Sequence, residues 1–162
     1  MNRFQAAALL AVWSLLLLPF PPANAHDYRV GDLQIAHPWS RGTPPGARVG
    51  AGYLRIDNRG TADDRLLSVT MERSGRAEIH EMSVTDGVMR MRELPTGIAI
   101  PTGGVVELKP GGLHLMFMEL TASLKQGERL DGTLTFERAG KVDVSFAVEA
   151  IGASPPASAH AH

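Results

Sequence analysis

The sequence predicts an all-β domain of the sandwich or barrel type, and two observations lead to this prediction. Between Tyr28 and Ile151, short segments rich in Val, Ile, Leu and Thr are separated by turn-forming residues, and no long helical period interrupts them. The segments recur at roughly the 8 to 12 residue spacing of sandwiches and barrels. In chain order, the predicted strands are 32–36, 49–57, 66–72, 77–82, 88–93, 104–108, 113–120, 129–137 and 141–150.

From the second segment onward, turn signals separate each segment from the next. Glycine, proline and asparagine favour the backbone angles that turns require. In order, the signals are Asn58-Arg59-Gly60, Ser74-Gly75, Asp86-Gly87, Pro95-Thr96-Gly97, Thr102-Gly103-Gly104, Pro110-Gly111-Gly112, Gln126-Gly127 and Ala139-Gly140. Asp86-Gly87 between two apolar runs predicts a two-residue hairpin. The last two segments alternate apolar and polar residues, which predicts a hairpin with one buried face.

The first 25 residues have the pattern of a secretory signal peptide. Arg3 precedes an apolar block at 6–18, and Ala23-Asn24-Ala25 supplies a cleavage site. We expect an exported protein cleaved near Ala25, with a folded domain over 26–153 and a tail at 154–162. The apolar block is shorter than the about 20 residues of a membrane span, so we expect no span, and we expect a monomer.

Charge and cysteine content exclude several classes of function. The chain has 16 Lys and Arg against 17 Asp and Glu, which gives no basic surface for nucleic acid. It contains no cysteine. Disulfides, thiolate zinc sites, iron–sulfur clusters, thiol nucleophiles and cysteine-ligated blue copper are therefore excluded. Any soft metal must be held by methionine and histidine.

Sulfur and imidazole side chains are concentrated in the middle of the chain. Five of the six methionines after the initiator lie in the 37-residue window from Met82 to Met118. On a strand, i, i+2 spacing places two side chains on the same face, about 7 Å apart. Three patterns have this spacing: His80-Glu81-Met82, Met89-Arg90-Met91 and His114-Leu115-Met116-Phe117-Met118. Three strands are thus predicted to present sulfur and imidazole to one region.

A mixed set of thioether and imidazole donors favours Cu(I), with zinc as the second choice. The candidate ligands are His80, Met91, His114 and Met116, with Met82, Met89 and Met118 as reserves. The alternative is that the methionines fill gaps in the core. Against this alternative, an imidazole buried without a hydrogen bond costs about 1 to 3 kcal/mol.

Other candidate groups are His26, His37 and the pair His160 and His162. His26 at a new N-terminus, or the His-x-His tail, could bind Cu(II) at a secondary site, and the alternative is a polar tail without a metal. His37 precedes Pro38 and Trp39 in an irregular stretch and is interpreted as structural and not as a ligand. The sequence has no Gly-x-Ser-x-Gly, His-Glu-x-x-His or phosphate-binding glycine motif, so we expect no enzyme.

Several runs of residues and their spacing resemble one protein family. The runs are 79–82, 88–93, 100–104, 107–112 and 113–118, together with His37-Pro38-Trp39-Ser40-Arg41 and Gly52-Tyr53. His80 and Met91 enclose ten residues, Met91 and His114 enclose 22, and His114-x-Met116 closes the motif. Through these features the sequence resembles the PCuAC family of periplasmic copper chaperones over nearly the whole chain after the leader.

The resemblance implies a fold and a function. The fold is a cupredoxin-like Greek-key β-sandwich, here with about eight to nine strands. The function is to bind Cu(I) through Met and His and to deliver it towards the CuA site of cytochrome c oxidase subunit II, alongside a Sco-type protein. Two alternatives are a copper-buffering resistance protein and an exported interaction module without a metal. A carrier needs its site near one edge of the sandwich, where Met91 is the expected departing ligand.

Overall fold

The chain forms β-strands throughout the part that the structure describes. This computed structural model describes residues 27–154, which contain eleven strands and no helix. The all-β prediction is confirmed, with more strands than the expected eight to nine. The strands are β1 (Tyr28–Val30), β2 (Leu33–Arg41), β3 (Val49–Asn58), β4 (Asp64–Met71), β5 (Arg76–Thr85), β6 (Val88–Glu93), β7 (Ile98–Ile100), β8 (Val105–Leu108), β9 (Leu113–Met118), β10 (Arg129–Phe136) and β11 (Lys141–Glu149).

The differences from the predicted strands have local causes. β1 and β7 have three residues each, too few to show an alternating pattern. The segment 32–36 was predicted to end before Pro38, but β2 continues to Arg41. It does so through a bulge between Ala36 and Trp39, where His37 has a φ of 54°. A bulge tolerates a proline without an N–H, so His37 belongs to a strand and not to an irregular stretch.

The strands follow one hydrogen-bonded path that folds into two layers. Its order is β6-β5-β9-β3-β2-β11-β10-β4-β7, with β1 added to β2 and β8 added to β3. The β2–β11 pair is parallel, and the other pairs of the described strands are antiparallel. Because β4 contacts β5, the two halves of the path face each other. This arrangement is the expected Greek-key sandwich.

The core lies between the two layers. Phe117 of β9 and Phe146 of β11 meet edge to face with ring centroids 5.3 Å apart. Leu134 of β10 is fully buried, and so is Leu115 of β9. The predicted last hairpin is confirmed, because β10 pairs with β11 and their alternating apolar residues are buried, except for the half-buried Val142.

The side chains of β5 and β9 alternate between the core and the outer face. Ile79, Leu115 and Phe117 belong to the core cluster. The neighbouring positions 80, 114 and 116 therefore project from the opposite face, because successive side chains of a strand point in opposite directions. The packing of these strands fixes which residues remain for a site.

The β5–β6 hairpin extends beyond β9. Asp86 and Gly87 have φ values of 53° and 76°, which are the positive angles of a type I′ turn, and Thr85 pairs directly with Val88. The predicted two-residue hairpin is confirmed. β9 pairs with β5 over residues 76–81, so the tip of the hairpin projects past β9 at one end of the strand order.

Several predictions concern residues outside 27–154. They are the signal peptide at 1–25, His26, and the tail histidines His160 and His162. Within the described residues, no helix has the length and hydropathy that a crossing of the membrane requires.

Candidate metal centre

The outer face of β5 and β9 holds a row of charged, imidazole and thioether side chains. Its geometry follows from the antiparallel register of the two strands. The directly opposed pairs are Arg76 with Met118, Glu78 with Met116, and His80 with His114. Cross-strand partners have Cβ atoms about 4.5 to 5.5 Å apart. The pattern that begins at His80 and the pattern that begins at His114, 34 residues later in the sequence, thus lie side by side.

The two imidazoles at the centre of this row are close together and shielded from solvent. The ring centroids of His80 and His114 are 5.7 Å apart, and the planes are inclined at 38°. His80 is 9% exposed and His114 is 6% exposed. Buried imidazoles need hydrogen-bond partners or a ligand to offset the loss of hydration.

Each imidazole has one nitrogen in a hydrogen bond to a pure acceptor. The His114 Nδ1–H donates to the carbonyl of Gly112 at 2.9 Å, and the His80 Nε2–H donates to Glu78 Oε2 at 2.8 Å. In the neutral rings, the lone pairs are therefore on His114 Nε2 and His80 Nδ1. Among the described residues, the buried His80 Nδ1 has no hydrogen-bond partner. Both rings thus have the arrangement of metal-binding histidines.

The β5–β6 hairpin adds thioethers next to these rings. Met82 of β5 lies directly opposite Met91 of β6, and His80 lies opposite Glu93. Since Met82 is two residues after His80, and cross-strand partners share a face, both methionines lie on the same face as His80. Met91 is 47% exposed, whereas Met82 is half-buried. The Gly112 carbonyl also accepts the backbone N–H of Met82 at 3.1 Å, which connects the hairpin to the acceptor of His114.

A cavity of about 330 Å³, here termed the site cavity, opens on this face. Met91, His114 and Met116, three of the four predicted ligands, line it together with Met82. His80 does not line the cavity, but it is the direct cross-strand partner of His114 in the pairing of β5 with β9. The structure therefore brings four of these five donors into one cavity, with the fifth directly beside it.

The two remaining reserve methionines lie elsewhere. Met89 is 66% exposed and is not in the wall of the site cavity. Met118 accepts a hydrogen bond at its sulfur from Arg76 Nη2 at 3.3 Å. Met82 is thus the reserve residue that the geometry favours.

The remaining wall of the cavity includes Tyr53 and Arg41. The Arg41 guanidinium lies 5.8 Å from the centroid of the Tyr53 ring, and its Nε–H donates to the carbonyl of Ala153 at 2.9 Å. Burial raises the pKa of the Tyr53 hydroxyl above its ordinary value of 10.0, and the positive charge of Arg41 partly offsets this. Tyr53 therefore remains a neutral wall residue at physiological pH.

Sequence reasoning missed two groups that act on the imidazoles. The Gly112 carbonyl is a backbone group in a turn, and side-chain motifs give no signal for it. Glu78 could have been found, because it stands two residues before His80 on the same face of a predicted strand. Within the described residues, no three His, Asp or Glu side chains form a group that could hold a metal ion.

Comparison with known proteins places this geometry in a family. The family model described as "Putative lipoprotein LpqE-like" matches residues 33–148, well over half of the chain. The chain belongs to this family, the PCuAC family. The resemblance predicted from its motifs is confirmed.

Solved PCuAC domains share both fold and sequence with this PCuAC chain. The apo PCuAC domain of PmoF1 is 31% identical with a TM-score of 0.66, and the match covers 77% of this chain and 99% of that one. The copper-bound PCuAC domain of PmoF2 is 29% identical with a TM-score of 0.67, covering 77% and 98%. Among curated proteins, "Putative lipoprotein Lxx21020" of Leifsonia xyli subsp. xyli (strain CTCB07) is 27% identical over 130 residues, which are 79% of this chain and 77% of that protein.

Proposed function

We propose that this PCuAC protein is an exported, non-enzymatic carrier that binds Cu(I) and passes it to another protein. His80, Met91, His114 and Met116 are the proposed ligands. The proposal rests on one observation: two adjacent imidazoles each hold one nitrogen in a hydrogen bond and leave the other for a metal, beside thioethers in an open cavity. The copper-bound PCuAC domain of PmoF2 supports the choice of metal.

The donor types favour Cu(I) over harder ions. Thioether sulfur is a soft ligand that selects Cu(I), and imidazole accepts it as well. A zinc site in a protein takes Cys, His and carboxylate ligands, and here the carboxylate of Glu78 is already bonded to Arg76 and His80. We therefore expect preference for Cu(I) over Zn(II).

Binding is tested by titrating the mature protein with Cu(I) against a colorimetric Cu(I) chelator. X-ray absorption at the copper edge then counts sulfur and imidazole ligands. The expected result is one Cu(I) per chain with both sulfur and nitrogen ligands. Retention of all the copper by the chelator, with the protein folded, would overturn the proposal in favour of the interaction module.

Transfer by ligand exchange is supported by the unequal exposure of the donors. His114 is 6% exposed, whereas Met91 is 47% exposed on the projecting hairpin. An incoming ligand of an acceptor therefore reaches Met91 first, and the thioether that leaves is neutral and needs no proton. His114 and Met116, held on one strand in the interior of the sheet path, remain bound longest.

The proposed acceptor is the CuA site of cytochrome c oxidase subunit II in the periplasm, alongside a Sco-type protein. This part of the proposal rests on the resemblance of the sequence to periplasmic copper chaperones. The test is to mix the Cu(I)-loaded protein with an apo CuA domain and follow copper on each partner after separation. Transfer faster than release to the chelator supports the carrier. Transfer no faster than that release supports copper buffering instead.

A further inference from the structure

The carboxylate beside His80 is held on both of its oxygens. Glu78 Oε2 accepts the Nε2–H of His80 at 2.8 Å, and Oε1 is 3.0 Å from Arg76 Nη1. The side chain of Glu78 is 13% exposed, and that of His80 is 11% exposed. A carboxylate with both oxygens bonded and little solvent around it has few other orientations.

The chain of contacts continues to a fourth residue. The other terminal nitrogen of Arg76, Nη2, donates to Met118 Sδ at 3.3 Å. Arg76, Glu78 and His80 lie at i, i+2 spacing on β5, and Met118 lies opposite Arg76 on β9. One face of two paired strands thus contains a continuous series from a thioether through a guanidinium and a carboxylate to an imidazole.

We infer that Glu78 is the positioning residue that sets which nitrogen of His80 meets copper, and that Arg76 holds Glu78 in place. An ionised carboxylate only accepts hydrogen bonds, so it keeps the proton on Nε2 and the lone pair on Nδ1. The same bond fixes the rotation of the ring, which keeps Nδ1 on the side away from Glu78. Such partners of metal-binding histidines contribute about 10- to 100-fold to metal affinity.

A second carboxylate near His80 provides a matched control. Glu93 stands directly opposite His80 on β6, but it is exposed and makes no hydrogen bond to His80 among the described contacts. Substitution of Glu93 removes a negative charge next to His80 on the neighbouring strand. It leaves the hydrogen bond from His80 Nε2 to Glu78 unchanged. If only the negative charge mattered, substitution of Glu78 and substitution of Glu93 would lower Cu(I) affinity equally.

The experiment uses the metal-free protein labelled with ¹⁵N at histidine, together with Glu78→Ala, Glu78→Gln and Glu93→Ala. In the parent protein and in Glu93→Ala, we expect the His80 Nε2–H as a slowly exchanging proton signal. Glu78→Ala loses that signal because its acceptor is gone. Glu78→Gln retains it, because the amide oxygen still accepts the hydrogen bond at that position.

Cu(I) affinity, measured by chelator competition, is the second readout. It should fall about tenfold or more in Glu78→Ala, stay unchanged in Glu93→Ala and recover largely in Glu78→Gln. The inference is overturned if Glu78→Ala keeps the protected proton and the parent affinity, or if Glu93→Ala loses as much affinity. It rests on the proposed function only through His80 as a ligand. A parent protein that binds no Cu(I) would sink the proposed function, whereas the proton signal tests Glu78 independently of copper.

Discussion

At the scale of single residues, the site is defined by which nitrogen of each histidine is already bonded. A buried polar atom without a partner costs about 1 to 3 kcal/mol, and His80 Nδ1 is such an atom among the described residues. The bonded partners differ: His114 donates to a backbone carbonyl and His80 to a side-chain carboxylate. The His114 ring is therefore fixed by the turn itself, whereas the His80 ring depends on Glu78.

Met91→Leu should lower Cu(I) affinity about tenfold, which corresponds to about 1.4 kcal/mol. Leucine has a similar volume and is apolar, so the fold is kept, but it has no sulfur lone pair for the metal. The faster release should also alter the rate of transfer to an apo CuA domain. Chelator competition and stopped-flow transfer measure the two effects.

Met89→Leu is the matched control for this variant. Met89 lies on the same strand and the same face as Met91, but it is not in the wall of the site cavity. Its substitution should leave Cu(I) affinity and transfer unchanged. Equal losses in the two variants, or no change in Met91→Leu, would remove Met91 from the ligand set.

At the scale of elements, the sequence predicted the strands and turns that carry the site better than the register in which those strands pair. β6 was predicted with its observed bounds, and the Asp86-Gly87 turn was predicted because its two residues favour positive φ. The pairing of His80 with His114 could not be predicted, since the β5–β9 register depends on packing between distant segments. For the same reason, sequence alone did not separate Met82 from Met89 and Met118.

Gly87→Ala should weaken copper binding by loosening the β5–β6 hairpin. Gly87 has a φ of 76°, and an added Cβ there would meet no atom within 4 Å. The cost therefore comes from the left-handed backbone alone, about 1 to 2 kcal/mol. Because Met82 and Met91 are held by this hairpin, we expect faster amide exchange in β6 and lower Cu(I) affinity.

Gly140→Ala is a control with the same backbone strain. Gly140 has a φ of 88° and the same open space, but it lies in the turn between β10 and β11, away from the site. It should lose similar stability in urea unfolding and keep the Cu(I) affinity of the parent. If both variants weaken copper binding equally, general destabilisation and not the hairpin is responsible.

The connection between β4 and β5 is tied to the segment before β10 by Glu128. The Lys125 backbone N–H and the Arg73 guanidinium, in that order of importance, hold the pKa of Glu128 below its ordinary value of 4.5. Because the folded-state pKa is the lower one, the stabilisation is complete above about pH 5.5 and is lost as the pH falls through the folded-state value.

Glu128→Gln should therefore reduce the free energy of unfolding at pH 7 and reduce it by less at pH 3. Urea unfolding of both proteins at the two pH values gives the difference directly. As the pH falls through the folded-state pKa, the parent side chain becomes protonated and resembles the glutamine in shape and charge. A difference that is as large at pH 3 as at pH 7 would show that the charge of Glu128 contributes nothing.

At the scale of the whole molecule, one strand serves the core and the site with its two faces. β9 presents Leu115 and Phe117 to the interior, and His114 and Met116 to the site cavity. The chain contains no cysteine, so packing between the layers must hold this strand in place without disulfides. With the proposed ligands, stability and metal binding are therefore expected to be separate properties of opposite faces, coupled only through the position of the backbone.

This separation predicts opposite outcomes for two variants. Leu134→Ala removes a fully buried side chain of β10 in the other layer and should cost about 2 to 5 kcal/mol of unfolding free energy. Its folded fraction should bind Cu(I) with the parent affinity, because no wall residue of the site cavity belongs to β10.

Met116→Leu should show the reverse. Its stability without metal should stay near that of the parent, because the side-chain volume is conserved. Its Cu(I) affinity should fall about tenfold, which corresponds to about 1.4 kcal/mol. Urea unfolding of the metal-free proteins and chelator competition under folding conditions measure the two quantities independently. If Leu134→Ala lowers the affinity of the folded protein as much as Met116→Leu does, the site depends on strain transmitted through the core and not on the donors of one face.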